Sequence, residues 1–308
     1  MPRDVFGPEH AFLPREQILS FEEIARLVQV FADLGVSKVR LTGGEPLLRK
    51  DLEKLVSWVA QTPGIEDVAL TTNGSLLASR AESLRAAGLG RVTVSLDSVD
   101  PAVFAMLGDT KIPLSRVLDG IAAAKAAGLT PVKLNAVIQR GVNDDGLLDL
   151  VDYAREHGHV LRLIEFMDVG HTNAWQRTEV VPATEIIDRI AAVHPLEPAP
   201  AGRYGEVARR WTYADGAGEV GVITSVTQPF CTDCTRARLT ATGELFTCLF
   251  ASRGQDLRAL LRAGASDDDL RDAVTAVWSR RTDRYSELRD LAMPGRDPDR
   301  AEMSYLGG

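Results

Sequence analysis

The chain has 308 residues, 45% hydrophobic and 25% charged, which excludes disordered and fibrous classes and allows about two domains, or one with an elaboration. Its 35 Lys and Arg against 43 Asp and Glu leave a net charge of −8, a poor balance for general nucleic-acid binding. An anionic ligand would have to be met by a few basic residues gathered in one place. No apolar stretch approaches the ~20 residues of a membrane span, and Met1-Pro2-Arg3-Asp4 lacks the order of a signal peptide. A cytoplasmic protein that binds neither nucleic acid nor membrane is expected.

In chain order, Ser20 and Glu23 form a capping box, followed by Ile24, Leu27, Val28, Phe31 and Leu34 at helical spacing, with Gly35 as the stop. A strand over Lys38 to Leu41 closes in Thr42-Gly43-Gly44-Glu45-Pro46. Helical runs then alternate with strands at Val68 to Thr71, Val92 to Leu96, Val132 to Val137 and Val160 to Phe166. Five strands separated by helices require a parallel sheet with right-handed crossovers. Polar residues end every strand, among them Thr42, Glu45, Asn73, Ser95, Asp97, Asn135 and Glu165. Functional groups at all the C-terminal strand ends fit a barrel mouth better than a single switch point. The texture changes after about residue 170. Trp175 to Ala201 reads as a loop-rich linker with one helix, Glu206 to Thr224 as antiparallel strands, and Thr242-Gly243 as a hairpin turn. Two helices follow, the second from Asp267 to Arg280.

The three cysteines, Cys231, Cys234 and Cys248, all lie in one short segment, which suits a reduced compartment and a metal rather than a disulfide framework. A C-x2-C pair with a third thiolate after a hairpin can hold a four-iron cluster with one iron open to a substrate atom. The alternatives are zinc completed by a distant His171 or His194, and three structural thiols. Arg236 and Arg238 follow Cys234 two apart, so that in a strand both guanidiniums reach one ligand beside the metal. Arg40, Thr42 and Gly44 share one strand face. Lys133, Asn135 and Glu165 are further polar residues on strands, and an internal ion-pair network competes with a binding role for each.

Several motifs together resemble the GTP 3′,8-cyclase family of radical S-adenosylmethionine enzymes, which begins molybdenum-cofactor biosynthesis. They are KVRLTGGEPLLR from Lys38, TTNG from Thr71, VSLDS from Val94, IEFMDVG from Ile164, PFCTDCTRAR from Pro229, FTCLF from Phe246 and the terminal Gly307-Gly308. The resemblance implies an α/β fold: a partial six-stranded (β/α) TIM-type barrel over residues 1–170, and a C-terminal α+β extension over 171–308 carrying an iron–sulfur cluster. It implies that Gly44, Ser95 and Met167 contact S-adenosylmethionine, and that Arg40, Thr71, Lys133, Arg236 and Arg238 contact GTP. Cys231, Cys234 and Cys248 would hold a 4Fe–4S cluster whose open iron binds guanine, with the terminal glycines threading into the site. A 5′-deoxyadenosyl radical would remove the 3′ hydrogen of GTP, and the 3′ carbon would close onto C8 of guanine. A homodimer that passes its product to the next enzyme of the molybdopterin pathway is also implied; the electron donor is not indicated.

The family's other cluster is held by C-x3-C-x2-C after a first strand, in a segment that commonly runs into Met-Pro. Here Met1-Pro2 opens the sequence. The expectation is therefore a shortened form, lacking the first strand, those cysteines, an aromatic cofactor contact and a GTP-binding arginine, and inactive alone. Rival readings are a non-catalytic protein that binds a nucleotide through its cluster, a zinc-containing barrel hydrolase, and another radical S-adenosylmethionine maturase with an auxiliary cluster.

Overall fold

The capping box forms at the start of the first helix. Ser20 Oγ accepts from Glu23 N at 3.1 Å and Glu23 Oε2 accepts from Ser20 N at 2.8 Å, satisfying two helix-end donors at once. The computed structural model describes residues 13–109, 111–170, 173, 175–202, 204–289, 301 and 303–306. The expectations placed on Met1-Pro2, His171, Gly307 and Gly308 lie outside these residues.

The main elements are α1 (Phe21–Asp33), β1 (Lys38–Leu41), α2 (Leu52–Gln61), β2 (Asp67–Thr72), α3 (Ala81–Ala86) and β3 (Arg91–Ser95). There follow α4 (Pro101–Gly108), α5 (Leu114–Ala126), β4 (Lys133–Ile138), α6 (Leu147–Glu156), β5 (Val160–Glu165) and α7 (Ala183–Ala191). The second half adds β6 (Leu196–Ala199), β7 (Ala208–Tyr213), β8 (Glu219–Ile223), β9 (Arg238–Leu239), β10 (Glu244–Phe246) and β11 (Gln255–Asp256). The last helices are α8 (Leu257–Arg262), α9 (Asp267–Ser279), α10 (Tyr285–Leu288) and α11 (Met303–Leu306).

One sheet runs β1-β2-β3-β4-β5-β8-β7-β6. The first five strands pair in parallel in sequence order, and β8 adds to β5 in parallel, with Arg162 opposite Gly221. This is a partial TIM-type barrel sheet. The sequence reading counted five parallel strands and gave β8 only an antiparallel partner. The antiparallel pairing with β7 is present, yet the other edge of β8 supplies a sixth parallel strand. A turn signal shows the near partner and carries no information on the far one. Leu196–Ala199, read as linker, is a strand as well. It contains Pro198, and it is tolerated because β6 ends the sheet, where a missing N–H leaves no ladder bond unmade. The helix α4 also escaped the reading, although Asp100 caps it through Ala102 N and Val103 N at 2.8 and 2.9 Å and Pro101 opens it.

Alternation decides which face is core. Val68, Leu70, Val92, Val94, Leu134, Ala136, Leu161, Leu163, Val220 and Val222 lie under Leu55, Val59, Leu84, Val117, Ile121, Leu147 and Val151 of the helices. The intervening strand residues are left for the opposite face. A second, smaller core joins Leu19, Leu27 and Val30 at the start of the chain to Leu245, Leu257, Leu261, Leu270 and Val274. The cysteine-bearing half is thereby packed on α1. No helix among the described residues is long and apolar enough to cross a membrane.

Gly120 lies inside α5, where alanine is ordinarily worth about 1 kcal/mol more than glycine. A Cβ there would stand 2.4 Å from Gly74 O, in the turn after β2. Gly120→Ala is therefore expected to destabilise by about 1–3 kcal/mol, the usual range for overpacking, as read by urea unfolding. An unchanged or raised midpoint would contradict this close approach.

Candidate nucleotide and metal site

The polar face of the sheet gathers charge. Parallel register sets Arg40 beside Ala69 and Arg91, and Thr71 beside Thr93 and Lys133. Arg40 Nη1 donates to Thr71 Oγ1 at 2.8 Å and to Thr93 Oγ1 at 3.0 Å, so two of the expected substrate contacts are joined. Burial pushes the Lys133 ammonium down to about 8, and the charges of Arg162, Arg91 and Lys38 add to that effect against Glu219. Three carboxylates answer the cations on this face. Asp67 pairs with Lys38 at 3.3 Å and with Arg91, Glu206 with Arg162 at 3.3 Å, and Glu219 with Arg210. Among the described residues, the basic set is Lys38, Arg40, Arg91, Lys133, Arg162 and Arg210. In a chain of net charge −8, this is the local concentration an anion requires. The sequence reading named Arg40 and Lys133 and missed the other four, whose period-2 placement on separate strands becomes visible only with the register. Asn135 Oδ1, on the same face, is buried and has no hydrogen-bond partner among the described residues.

The parallel strands point their C-terminal ends to one side, and Gly44, Ser95 and Met167 lie at the ends of β1, β3 and β5 there. No hydrogen bond among the described residues joins these three. Glu45 sets the loop that carries Gly44. Its carboxylate accepts from Leu47 N at 3.0 Å, Thr72 Oγ1 at 2.7 Å and Asn73 N at 2.8 Å, tying the β1 loop to the β2 loop. Asp97, two residues past Ser95, is pushed up to about 6 by burial, against the N–H of Val137 at 2.8 Å. Met167 O accepts from Asn173 Nδ2 at 2.9 Å.

Glu165 has a different part from the one its strand-end position suggested. It faces the apolar side with Leu161 and Leu163, is fully buried, and accepts from Ala183 N at 2.9 Å, Val226 N at 2.8 Å, Thr227 N at 2.9 Å and the Thr227 hydroxyl. One carboxylate thus holds the end of β5, the start of α7 and the loop that leads from β8 into the cysteines.

The cysteines are free and half-buried. Cys234 N donates to Cys231 O at 3.2 Å, closing the C-x2-C turn. Arg236 donates from Nε and Nη2 to Cys234 Sγ, both at 3.3 Å, and Phe250 N donates to Cys248 Sγ at 3.4 Å. Burial pushes the Cys234 thiol up, but the Arg236 charge and the hydrogen bonds from Arg236 and Arg281 outweigh it and bring the thiol to about 7. Burial, with repulsion from Arg236, drives the Arg238 guanidinium down to about 10, against attraction by Cys234 and Cys248. The expected strand exists only from Arg238 onward. Arg236 precedes it, over the Phe230 ring at 5.2 Å, with its guanidinium on Cys234 Sγ, while Arg238 feels the charges of Cys234 and Cys248.

Thiolates receiving N–H and guanidinium donors suit an anionic iron–sulfur cluster. Among the described residues, no three His, Cys, Asp or Glu side chains, the three cysteines included, are gathered closely enough for one metal ion. His194, the named zinc alternative, instead contacts Asp152 at 2.6 Å and stands edge-on to Tyr213.

Comparison with known proteins gives two family models. The Radical SAM superfamily matches residues 6–154, and Molybdenum Cofactor Synthesis C matches residues 159–287. A GTP 3′,8-cyclase of Acidothermus cellulolyticus is 55% identical over all of this chain and 91% of its own length. One of Xanthomonas campestris is 50% identical over all of this chain and 89% of its own. Among solved structures, coproporphyrinogen III oxidase of Escherichia coli has a TM-score of 0.45 at 13% identity, covering 59% of this chain and 46% of its own, and adds no argument. Because the relatives align over the whole chain, the expectation of a shortened, inactive form finds no support in them.

Replacing Glu165 with glutamine keeps the shape but turns an amide toward groups that are all donors. Leaving buried donors unsatisfied around a lost charge is expected to destabilise by about 2–4 kcal/mol. Hydrogen exchange should rise at Ala183, Val226 and Thr227 together; exchange confined to one of them would refute the shared anchor.

Proposed function

The chain belongs to the GTP 3′,8-cyclase family of radical S-adenosylmethionine enzymes in molybdenum-cofactor biosynthesis, and from this we propose that it converts GTP to 3′,8-cyclo-7,8-dihydro-GTP on the polar face of its sheet. The family brings with it a 4Fe–4S cluster and S-adenosylmethionine, which when bound supply the one-electron chemistry that starts the ring closure. Three thiolates suffice for one cluster with an open iron, and Cys231, Cys234 and Cys248 are the only cysteines in the 308 residues. A cluster at this trio, with its open iron toward guanine, would hold the nucleotide; the cluster that reduces S-adenosylmethionine would need ligands other than these three cysteines.

The observation that carries the reading is the gathering of Lys38, Arg40, Arg91, Lys133, Arg162 and Arg210 on one face of the sheet, with Arg236 and Arg238 beside the cysteines. Lys133 and Arg238 both have their charged forms disfavoured, by burial first and by neighbouring cations next. Such a site stores positive potential that an anion relieves. A triphosphate carries about four negative charges and accepts the bidentate and point contacts that arginine and lysine offer. Arg40, held by Thr71 and Thr93, and Lys133 would grip phosphate oxygens from the sheet. Arg236 and Arg238 would do so from beside the cysteines. Gly44, Ser95 and Met167, at the mouth, would contact S-adenosylmethionine, and the loop fixed by Glu45 would keep Gly44 backbone open to it. The helix-covered apolar face below gives these groups a rigid floor, so the nucleotide is oriented and water is displaced from the reacting carbon. A homodimer and transfer of the product to a following enzyme complete the proposal.

Anaerobic reconstitution followed by calorimetric GTP titration tests this. Lys133→Met is expected to leave iron content unchanged and weaken GTP binding by about 10- to 100-fold, the worth of one charge-assisted contact. In the wild type, GTP restores the proton that Lys133 tends to lose above pH about 8, so binding takes up a proton and affinity falls as pH rises through that window. The variant should lack this dependence. Unaltered affinity and an unaltered pH profile would remove Lys133 from the phosphate site. Iron and GTP binding with no S-adenosylmethionine cleavage by the wild type would favour the binding-only reading.

A further inference from the structure

The segment from Arg281 to Arg289 touches the surroundings of all three cysteines. Arg281 Nη1 donates to Cys234 O, and Glu287 Oε1 accepts from Thr232 N at 3.1 Å and Thr232 Oγ1 at 3.0 Å. These contacts brace the C-x2-C end. At the other end, Arg289 is only 9% exposed, well below what is usual for arginine. Its Nε donates to Asp168 Oδ1 at 2.8 Å, in the loop after β5, and its Nη1 donates to Ser225 O at 2.9 Å, in the loop after β8. Its guanidinium lies 5.5 Å from the Phe250 ring centre and 5.6 Å from that of Tyr285. The two rings stack at 4.5 Å, and the Tyr285 hydroxyl donates to Asp168 Oδ2 at 2.5 Å. Phe250 in turn gives its N–H to Cys248 Sγ.

We propose that Arg289 is a positioning residue for the cluster ligands: it fixes the Cys248 end of the trio, through Phe250, to the loops at the mouth of the barrel. This rests on the reading that the trio holds an iron–sulfur cluster. The β9–β10 hairpin, with Phe246 opposite Arg238, brings Cys248 back toward the C-x2-C pair, and what lies beyond Phe246 is held by contacts outside the segment. A buried ion pair is a weak source of stability, so its use here lies in geometry. Asp168 directs Nε and Ser225 O directs Nη1, Nη2 is buried without a hydrogen-bond partner among the described residues, and the flat side of the guanidinium is left to the rings. Partners one shell beyond the ligands commonly govern how firmly a metal group is held.

The test uses anaerobically reconstituted full-length protein, with loss of the iron–sulfur absorption to a chelator followed well below the unfolding midpoint. Arg289→Met is expected to speed this loss by about tenfold or more, and Arg289→Lys, which keeps the Asp168 pair but not the fork, to fall between. Phe250→Leu keeps the N–H and loses the ring, and should match Arg289→Met. It also decides the matter if Arg289→Met does not fold. The reduced cluster's electron-resonance signature should shift in the same two variants, a change that a general loss of stability does not produce. Folded variants with wild-type loss rates and signatures would overturn the positioning role alone. A wild-type protein that takes up no iron would overturn the cluster reading and this inference with it.

Discussion

Placing several cations on one face of a sheet in an acidic protein is the constraint around which this molecule is built. A parallel sheet covered by helices on one side has only its other side for polar groups, and alternation delivers them there without disturbing the core. Charges held so close repel one another. Asp67, Glu206 and Glu219 offset part of that repulsion around Lys38, Arg91, Arg162 and Arg210. Arg40 is held by the two threonine hydroxyls, and Lys133 is driven toward its neutral form. The carboxylates thus settle the surrounding ladder, while the level of Thr71, Thr93 and Lys133 keeps its positive character.

A charged face is useful only if the second group of functional residues is held in a fixed relation to it. The cysteine segment leaves the sheet directly from β8, which pairs with β5. Glu165 sits at that junction, accepting from the outgoing loop, while Arg289, paired with Asp168, donates to Ser225 O of the same loop. The smaller core beneath, where Leu19 and Leu27 meet Leu245 and Leu257, anchors the hairpin that precedes Cys248. Packing and polar contacts therefore converge on one segment from three directions. This accounts for how a run with only short strands can present thiols and guanidiniums in a defined arrangement.

Much of this was legible in the sequence. Periodicity gave the five leading strands within a residue or two, and the cysteine spacing is what suggests the proposed cluster. Arg40, Lys133, Arg236 and Arg238 are named from sequence because each stands in or beside a recognisable motif. Lys38, Arg91, Arg162 and Arg210 are not, since a lone basic residue in a strand looks the same whichever face of the sheet it takes. Only inter-strand register distinguishes the two. The parallel partner of β8, the buried role of Glu165 and the reach of Arg289 to Phe250 fail for the same reason. Each depends on contacts between residues far apart in the chain, and local pattern carries no trace of them. The placing of Pro198 in a strand shows the reverse error, a sound local rule overridden by position at a sheet edge.

The central claim is that the positive face recognises the phosphate tail of a purine nucleotide. Calorimetric titration of the reconstituted protein with GTP and with guanosine, under identical anaerobic conditions, tests it most directly. GTP should bind about 100-fold or more tightly than guanosine, with the difference shrinking as salt is raised. Equal affinities for the two, at low and high salt alike, would contradict it.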